Sequence, residues 1–177
     1  GPVLVAISGE KANAKPVVID DFEKGKNWNK LSNGGKGAVP SLAFCRKANE
    51  PENVRQGNVA LKVVMPAKSS QGTPVVFCGF PKGGLADGGY NYLTFWLKAD
   101  NYGKIAVVLP KDDWKDRLSA EVVIKTGQWQ KVRLSLKEDM GLGSKSWGFD
   151  KLRGEFFIYN QNVNSSTTFY LDDIRFE

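Results

Sequence analysis

The sequence predicts an all-β domain, a sandwich of two antiparallel sheets. Three observations carry this expectation. Short runs of alternating apolar residues recur along the chain, clusters of Gly, Pro, Asn and Asp separate them, and no window repeats apolar residues at a helical period. Strands are read at residues 16–22, 42–46, 59–65, 74–80, 92–99, 104–109, 119–125, 130–136, 154–160 and 168–176. Turn signals stand at Asn33-Gly34-Gly35, Lys82-Gly83-Gly84, Asp87-Gly88-Gly89, Asp100-Asn101 and Thr126-Gly127. Glycine supplies positive φ there, and Asn or Asp side chains bond their own backbone. So many short strands in one domain require two packed sheets. Residues 137–142 read as a short helical turn.

Strict alternation assigns faces, because successive strand side chains point opposite ways. In 92–99, Leu93, Phe95 and Leu97 share one face; Tyr92, Thr94, Trp96 and Lys98 share the other. In 119–125, Ala120, Val122 and Ile124 oppose Ser119 and Glu121. In 130–136, Val132, Leu134 and Leu136 point to the core, and Lys131, Arg133 and Ser135 point away. The strand 154–160 is apolar on both faces, with Phe156 and Ile158 on one and Phe157 and Tyr159 on the other. Either both faces are covered, or one displays aromatic rings to a ligand.

The 177 residues, 41% of them hydrophobic, fit one globular domain. Residues 1–16 are set apart: Gly1-Pro2 reads as a protease remnant, and the rest as a tail or a first strand. Residues 17–177 form the domain. No apolar run approaches the roughly 18 residues of a membrane span. The net charge of +6 either steers anionic partners or serves solubility. Histidine is absent, which removes Ser-His-Asp triads and the usual zinc sites. Cys45 and Cys78, the only cysteines, either pair or lie as buried thiols.

Three acidic clusters stand out: Asp20, Asp21 and Glu23; Asp112, Asp113 and Asp116; and Asp172 with Asp173. First and last strands of a sandwich are often neighbours, so the terminal clusters can meet. Converging carboxylates without basic partners repel, and calcium, which takes several oxygen ligands, relieves that. Asp21 and Glu23 share a strand face, and Asp172 approaches from the last strand; the alternative is solvated edge charge. The middle cluster reads as an exposed loop, with paired carboxylates but no feature that raises the pKa of one of them. Trp28, Trp114 and Trp147 fall in loop-like stretches, and Trp96 and Trp129 in or beside strands. An exposed ring stacks on the C–H face of a pyranose. The face of Trp96 also carries Lys98, which favours display; Trp129 is expected in the core. Nucleic acid is not expected, because the basic residues are scattered and no RNP-like motif occurs.

Certain segments resemble a known family. They are Val18-Ile19-Asp20-Asp21-Phe22-Glu23 followed by Trp28, Gly57-Asn58-Val59-Ala60-Leu61-Lys62-Val63, residues 92–99, Gly127-Gln128-Trp129-Gln130-Lys131-Val132, and Phe169-Tyr170-Leu171-Asp172-Asp173-Ile174-Arg175-Phe176. Their order and spacing resemble the β-jelly-roll carbohydrate-binding modules of bacterial polysaccharide-degrading enzymes, of galactose-binding-like fold. The resemblance implies a jelly roll, a secreted and monomeric module, an attached catalytic domain, and no catalysis by the module itself. It implies a structural calcium on Glu23 and Asp172, with Asp21, and carbonyls near Gly57 and Asn58. It also implies a concave sheet that binds a cell-wall polysaccharide. By strand parity that face holds Trp96, Lys98, Lys131, Arg133 and Tyr159, and its basic character raises an acidic glycan such as pectin beside β-glucan and xylan. Should this face prove silent, the loop aromatics Trp28, Trp114 and Trp147 offer an edge site. Two other classes stay open: a jelly-roll lyase or glycosidase, with Lys131, Arg133 and Tyr159 as base and charge neutralisers, and a scaffold domain that binds no sugar.

Overall fold

Among the described residues, eleven strands form two antiparallel sheets. The computed structural model describes residues 16–81 and 89–177. The turn read at Lys82-Gly83-Gly84, Asp87 and Gly88 of the next turn, and residues 1–15 lie outside the described residues. The strands are β1 (Val17–Asp20), β2 (Asn29–Asn33), β3 (Ser41–Arg46), β4 (Val59–Met65), β5 (Thr73–Gly79), β6 (Tyr92–Ala99), β7 (Gly103–Pro110), β8 (Arg117–Ile124), β9 (Gln130–Ser135), β10 (Glu155–Asn160) and β11 (Thr167–Phe176). The first sheet runs β3-β4-β11-β6-β9, with β1 also paired to β11; the second runs β2-β5-β10-β7-β8.

The last strand organises the first sheet. Its first half pairs with β4, from Thr167 opposite Met65 to Leu171 opposite Leu61. Its second half pairs with β1, where Phe176 faces Val17. Between them the register against β6 shifts after Asp172, and Asp173 adopts φ 49°. This bulge makes room for β4 and β1 to share one side of a single long strand.

The core fills as the alternation predicts. Leu93, Phe95 and Leu97 of β6 and Phe169 and Leu171 of β11 face Ile105 and Val107 of β7 and Phe156 and Ile158 of β10, all of them fully buried. Across the sandwich, Phe95 meets Phe156 edge to face at 6.3 Å. Trp28 is part of this core, set edge-on against Phe156 at 6.1 Å and stacked on Phe22 at 5.9 Å.

Two expectations are corrected. The sequence reading had no strand at β2, because Asn29-Lys30-Leu31-Ser32-Asn33 is polar; it is an edge strand held by β5 alone. Residues 137–142 form no helical turn; a 3-10 turn follows instead at Leu142–Ser144. Cys45 and Cys78 are both free and buried. Cys45 lies in a small cluster with Val54 and Tyr170, and Cys78 lies in the main core. Burial pushes their thiols up to about 11 and about 12.

Phe156 touches rings from β6 and from the entry loop, so its loss leaves a cavity at the middle of the sandwich. Phe156→Ala is expected to lower unfolding stability by about 3–5 kcal/mol, read as a shift of the urea midpoint at unchanged slope.

Candidate functional site

A sandwich of two sheets has two outer faces, and here their coverings differ. The outer face of the first sheet lies under the segment between β3 and β4, which contains a 3-10 turn at Pro51–Asn53. The Arg55 guanidinium sits 4.0 Å over the Trp96 ring, whose Nε1 is buried. Lys98 is 9% exposed and donates through Nζ to the Glu52 carbonyl at 2.7 Å and to Asn53 Oδ1 at 2.6 Å. Trp129, expected in the core, donates through Nε1 to the same Glu52 carbonyl at 3.0 Å. Arg133 lies 3.5 Å over Tyr92, and Lys131 reaches Glu177 at 3.7 Å.

The structure therefore does not bring the five residues read from strand parity together. Trp96, Lys98, Lys131 and Arg133 stand on β6 and β9 of the first sheet, whereas Tyr159 stands on β10 of the second. Parity tells which side chains oppose the core. It does not tell which of the two outer faces they share, because sheet membership is set by long-range pairing.

The outer face of the second sheet is lined by aromatic and aliphatic side chains. Register places Phe77, Phe157 and Val108 side by side in one row and Val75, Tyr159 and Ala106 in the next. Phe77 stacks on Phe157 at 4.7 Å, and Phe157 stacks on Tyr159 at 6.1 Å. Phe157 and Tyr159, with Val108 and Ala106, form the floor of a groove of about 760 Å³, and Phe77 braces Phe157 from the side. Cross-strand aromatic neighbours of this kind brace one another, so the floor is stiff.

One wall of the groove is the β7–β8 loop. Trp114 is 55% exposed there and meets Phe157 edge to face at 5.8 Å. Its backbone is left-handed at φ 63°, a conformation that strains any residue with a Cβ. Neighbours hold it in place. Its amide donates to the Lys111 carbonyl at 3.0 Å, and the Arg153 guanidinium covers its ring at 4.5 Å. Asp116 anchors the far end of the loop, accepting from Lys145 Nζ and Trp147 Nε1, each at 2.8 Å. These bonds hold the Asp116 carboxyl well below the usual carboxylate range, Lys145 contributing most. Trp147 is therefore a strut, and of the three loop tryptophans only Trp114 faces solvent beside the aromatic floor.

This arrangement does not resemble a hydrolytic pair. A glycosidase acid needs a carboxyl raised above its ordinary value, but the hydrogen bond from Lys111 lowers Asp113, and Asp116 is lowered further. The lyase set of Lys131, Arg133 and Tyr159 is divided between the two sheets. Burial pushes the Tyr159 hydroxyl up, with Arg117 opposing it.

The acidic termini converge on the loop before β4. Asp172 is fully buried, and its Oδ2 accepts from the amides of Arg55 at 3.0 Å and Gln56 at 2.8 Å. The Glu23 carboxylate accepts from the amides of Asn58 at 2.8 Å and Val59 at 3.0 Å. Among the described residues Asp172 Oδ1 is a buried acceptor without a hydrogen-bond partner, and burial pushes this carboxyl up to about 6 against the pull of the Gln56 and Arg55 amides. An orphaned carboxylate oxygen, with a second carboxylate held by the same loop, suits a hard cation whose shell carbonyls complete. Glu23 and Asp172 thus fit the implied calcium. Asp21 Oδ1 instead accepts from the Glu23 amide at 3.0 Å, fixing the turn. No group of three or more Asp, Glu, His or Cys side chains placed to hold a metal ion together occurs among the described residues.

No family model matches the chain, and no curated protein matches it. Solved structures do. The chain has the β-sandwich fold of carbohydrate-binding modules. It is similar to a family 11 carbohydrate-binding module from Clostridium thermocellum in complex with a β-1,3-1,4-mixed-linked tetrasaccharide, with TM-score 0.63 and 14% identity over 91% of this chain and 94% of that one. It is similar to a family 28 module specific for non-crystalline cellulose, with TM-score 0.59 and 18% identity over 99% of each chain. It also matches part of an exo-β-agarase, with TM-score 0.60 and 14% identity over 91% of this chain and 24% of that one. At these identities the likeness establishes the fold.

Asp116→Asn is expected to free the β7–β8 loop. Amide hydrogen exchange at residues 114–117 should quicken, while the urea midpoint of global unfolding should move little, because the ion pair is solvent-screened.

Proposed function

We propose that this domain is a non-catalytic carbohydrate-binding module that holds a polysaccharide chain along the outer face of the second sheet. The observation that carries this reading is Trp114, an exposed ring held in a strained backbone conformation against Phe157, at the edge of the Phe157 and Tyr159 floor. A stiff aromatic platform gives a sugar ring C–H contact at little entropic cost, because the rings lose no freedom on binding. The likeness to carbohydrate-binding modules supports the reading at the level of fold. The likeness to about a quarter of an agarase chain supports attachment to a polysaccharide-degrading enzyme, and with it work outside the cell. A single copy of the chain supplies floor and wall, which supports action as a monomer. Among the described residues no helix is long and apolar enough to cross a membrane.

Trp114→Ala and Tyr159→Ala are expected to weaken binding of soluble polysaccharide by about 1–3 kcal/mol each, by analogy with base stacking on aromatic platforms. Trp96→Ala should leave affinity unchanged once its fold is verified by circular dichroism. Affinity electrophoresis on a panel of plant and algal polysaccharides, followed by calorimetry on the best ligand, measures this. A reducing-end assay on the same mixtures should stay flat; new ends would overturn the non-catalytic reading.

Calcium belongs to the same proposal as a structural ion held by Asp172 and Glu23. When bound it would supply the positive charge that the orphaned Asp172 oxygen is missing. Binding only the native state stabilises by mass action. Chelator should lower the melting temperature and added calcium restore it, and Asp172→Asn should abolish the response. A wild-type melting curve indifferent to both would count against the ion.

A further inference from the structure

The charges around the groove select among polysaccharides. Lys68, Lys115, Arg117 and Lys145 line it against the one carboxylate of Asp116. That carboxylate is already spent: Lys145 pairs with it at 2.8 Å and Trp147 Nε1 takes its other oxygen. Other cations nearby have internal partners, Lys104 with Glu121 at 2.9 Å and Arg153 with Glu155. Lys68, Lys115 and Arg117 form no ion pair with any described residue. Lys68 Nζ only approaches the neutral Gln161 Oε1, at 3.4 Å.

Their placement follows the aromatic floor. Arg117 begins β8 opposite Pro110, and Lys115 sits in the loop that carries Trp114. Lys68 stands at the other end of the floor, beside Gln161, Asn33 and Thr73. From Phe157 to Gln161 is roughly 13 Å at the ordinary rise of a strand. A saccharide lying on the rings therefore has a cation at each end.

The chemistry of these side chains narrows the ligand further. Lysine and arginine only donate hydrogen bonds. A neutral sugar offers hydroxyls that both donate and accept; among the described lining residues the one carboxylate is occupied, which leaves them the neutral acceptors of Asn33, Thr73, Ser119 and Gln161. Carboxylate and sulfate groups only accept, which suits the Lys and Arg donors at the two ends of the groove, and guanidinium grips either through two bonds.

We propose that the groove recognises an anionic polysaccharide, whose carboxylate or sulfate groups are held by Arg117, Lys115 and Lys68 while its sugar rings lie on Trp114 and Tyr159. This rests on the reading of the groove as a glycan site. The net charge of the chain then brings the polymer in, and the unpaired cations hold it.

The test is a titration of the intact domain with polygalacturonate and a sulfated galactan, against their carboxyl-reduced and desulfated counterparts and against mixed-linked β-glucan and oligothymidylate. Binding to one anionic glycan should exceed binding to its neutral counterpart at least tenfold. It should also weaken as salt rises from about 0.05 to 0.5 M, because exposed pairs are screened. The two anionic arms separate a carboxylate from a sulfate ligand. Arg117→Gln, Lys115→Gln and Lys68→Gln should each lower affinity roughly three- to tenfold at low salt and flatten its salt dependence. Lys131→Gln, the same charge change on the other sheet, should do neither. Salt-independent binding of a neutral glycan, lost in Trp114→Ala, would overturn the anionic assignment and leave the glycan site standing. Preference for oligothymidylate over every glycan, or no binding to any member of the panel, would overturn both.

Discussion

Four backbone amides, those of Arg55, Gln56, Asn58 and Val59, donate to two carboxylates, Asp172 and Glu23. The rest of the surface architecture depends on this clamp. It joins the segment after β1, the loop before β4 and the last strand at one point. Gly57 sits at its centre with φ 63°, and a Cβ there would come within 2.7 Å of the Glu23 carboxylate. Only glycine meets both conditions. With the loop fixed, Arg55 is laid over Trp96, and the Pro51–Asn53 turn is brought above Lys98. The part of the first sheet's outer face around Trp96 and Lys98 is thereby covered, and the aromatic groove lies on the second sheet.

That second face exists because β10 is apolar on both sides. Phe156 and Ile158 serve the core, while Phe157 and Tyr159 serve the floor of the groove. An apolar strip on an outer face costs solubility where it meets water, and here Val75, Val108 and Phe157 are buried among their neighbours while Phe77, Ala106 and Tyr159 are partly so. The chain limits this by rimming the strip with charge and by folding the β7–β8 loop across one side. Holding Trp114 in the left-handed region costs about 1–2 kcal/mol. The Asp116 bonds to Lys145 and Trp147 and the Arg153 contact offset that strain. Strain retained under such support is a mark of pre-organisation: the ring waits where a ligand needs it and is not ordered on arrival.

Much of this was legible in the sequence, with informative gaps. Period-two alternation located ten of the strands and assigned the core faces of β6, β8, β9 and β10, because burial on one face imposes that period on any sheet. The polar edge strand β2 gives no such signal, since little of it is buried. That acidic residues from the two ends of the chain would be drawn to one region was foreseeable, given that first and last strands pair; that Glu23 and Asp172 there accept from one loop's amides was not. Nor was the groove proposed as the binding face. Lys98 looks like a displayed cation until the segment 46–58 is seen to cover it, and that covering depends on contacts more than a hundred residues apart. Trp114 was readable only as an exposed loop aromatic. Its seat over Phe157 depends on Asp116 reaching Lys145 and Trp147, about thirty residues downstream, and no local pattern encodes that meeting.

Platform and rim thus have separate determinants. The floor is built from strand residues whose register is fixed by the sandwich core; changing them disturbs packing on the inner side through the shared backbone. The cations stand at Lys68, Lys115 and Arg117, at the ends of strands or in loops, where side chains can change without altering any ladder. A fold held in common with modules for neutral glucans can therefore change the charge of its ligand through a few rim positions while keeping the aromatic floor. What the rim gains in selectivity it loses in tolerance to salt, because its pairs are exposed while the stacking beneath them is not electrostatic in origin. Affinity from the rings and discrimination from the rim should accordingly respond to different conditions, the first to loss of aromatic area and the second to ionic strength.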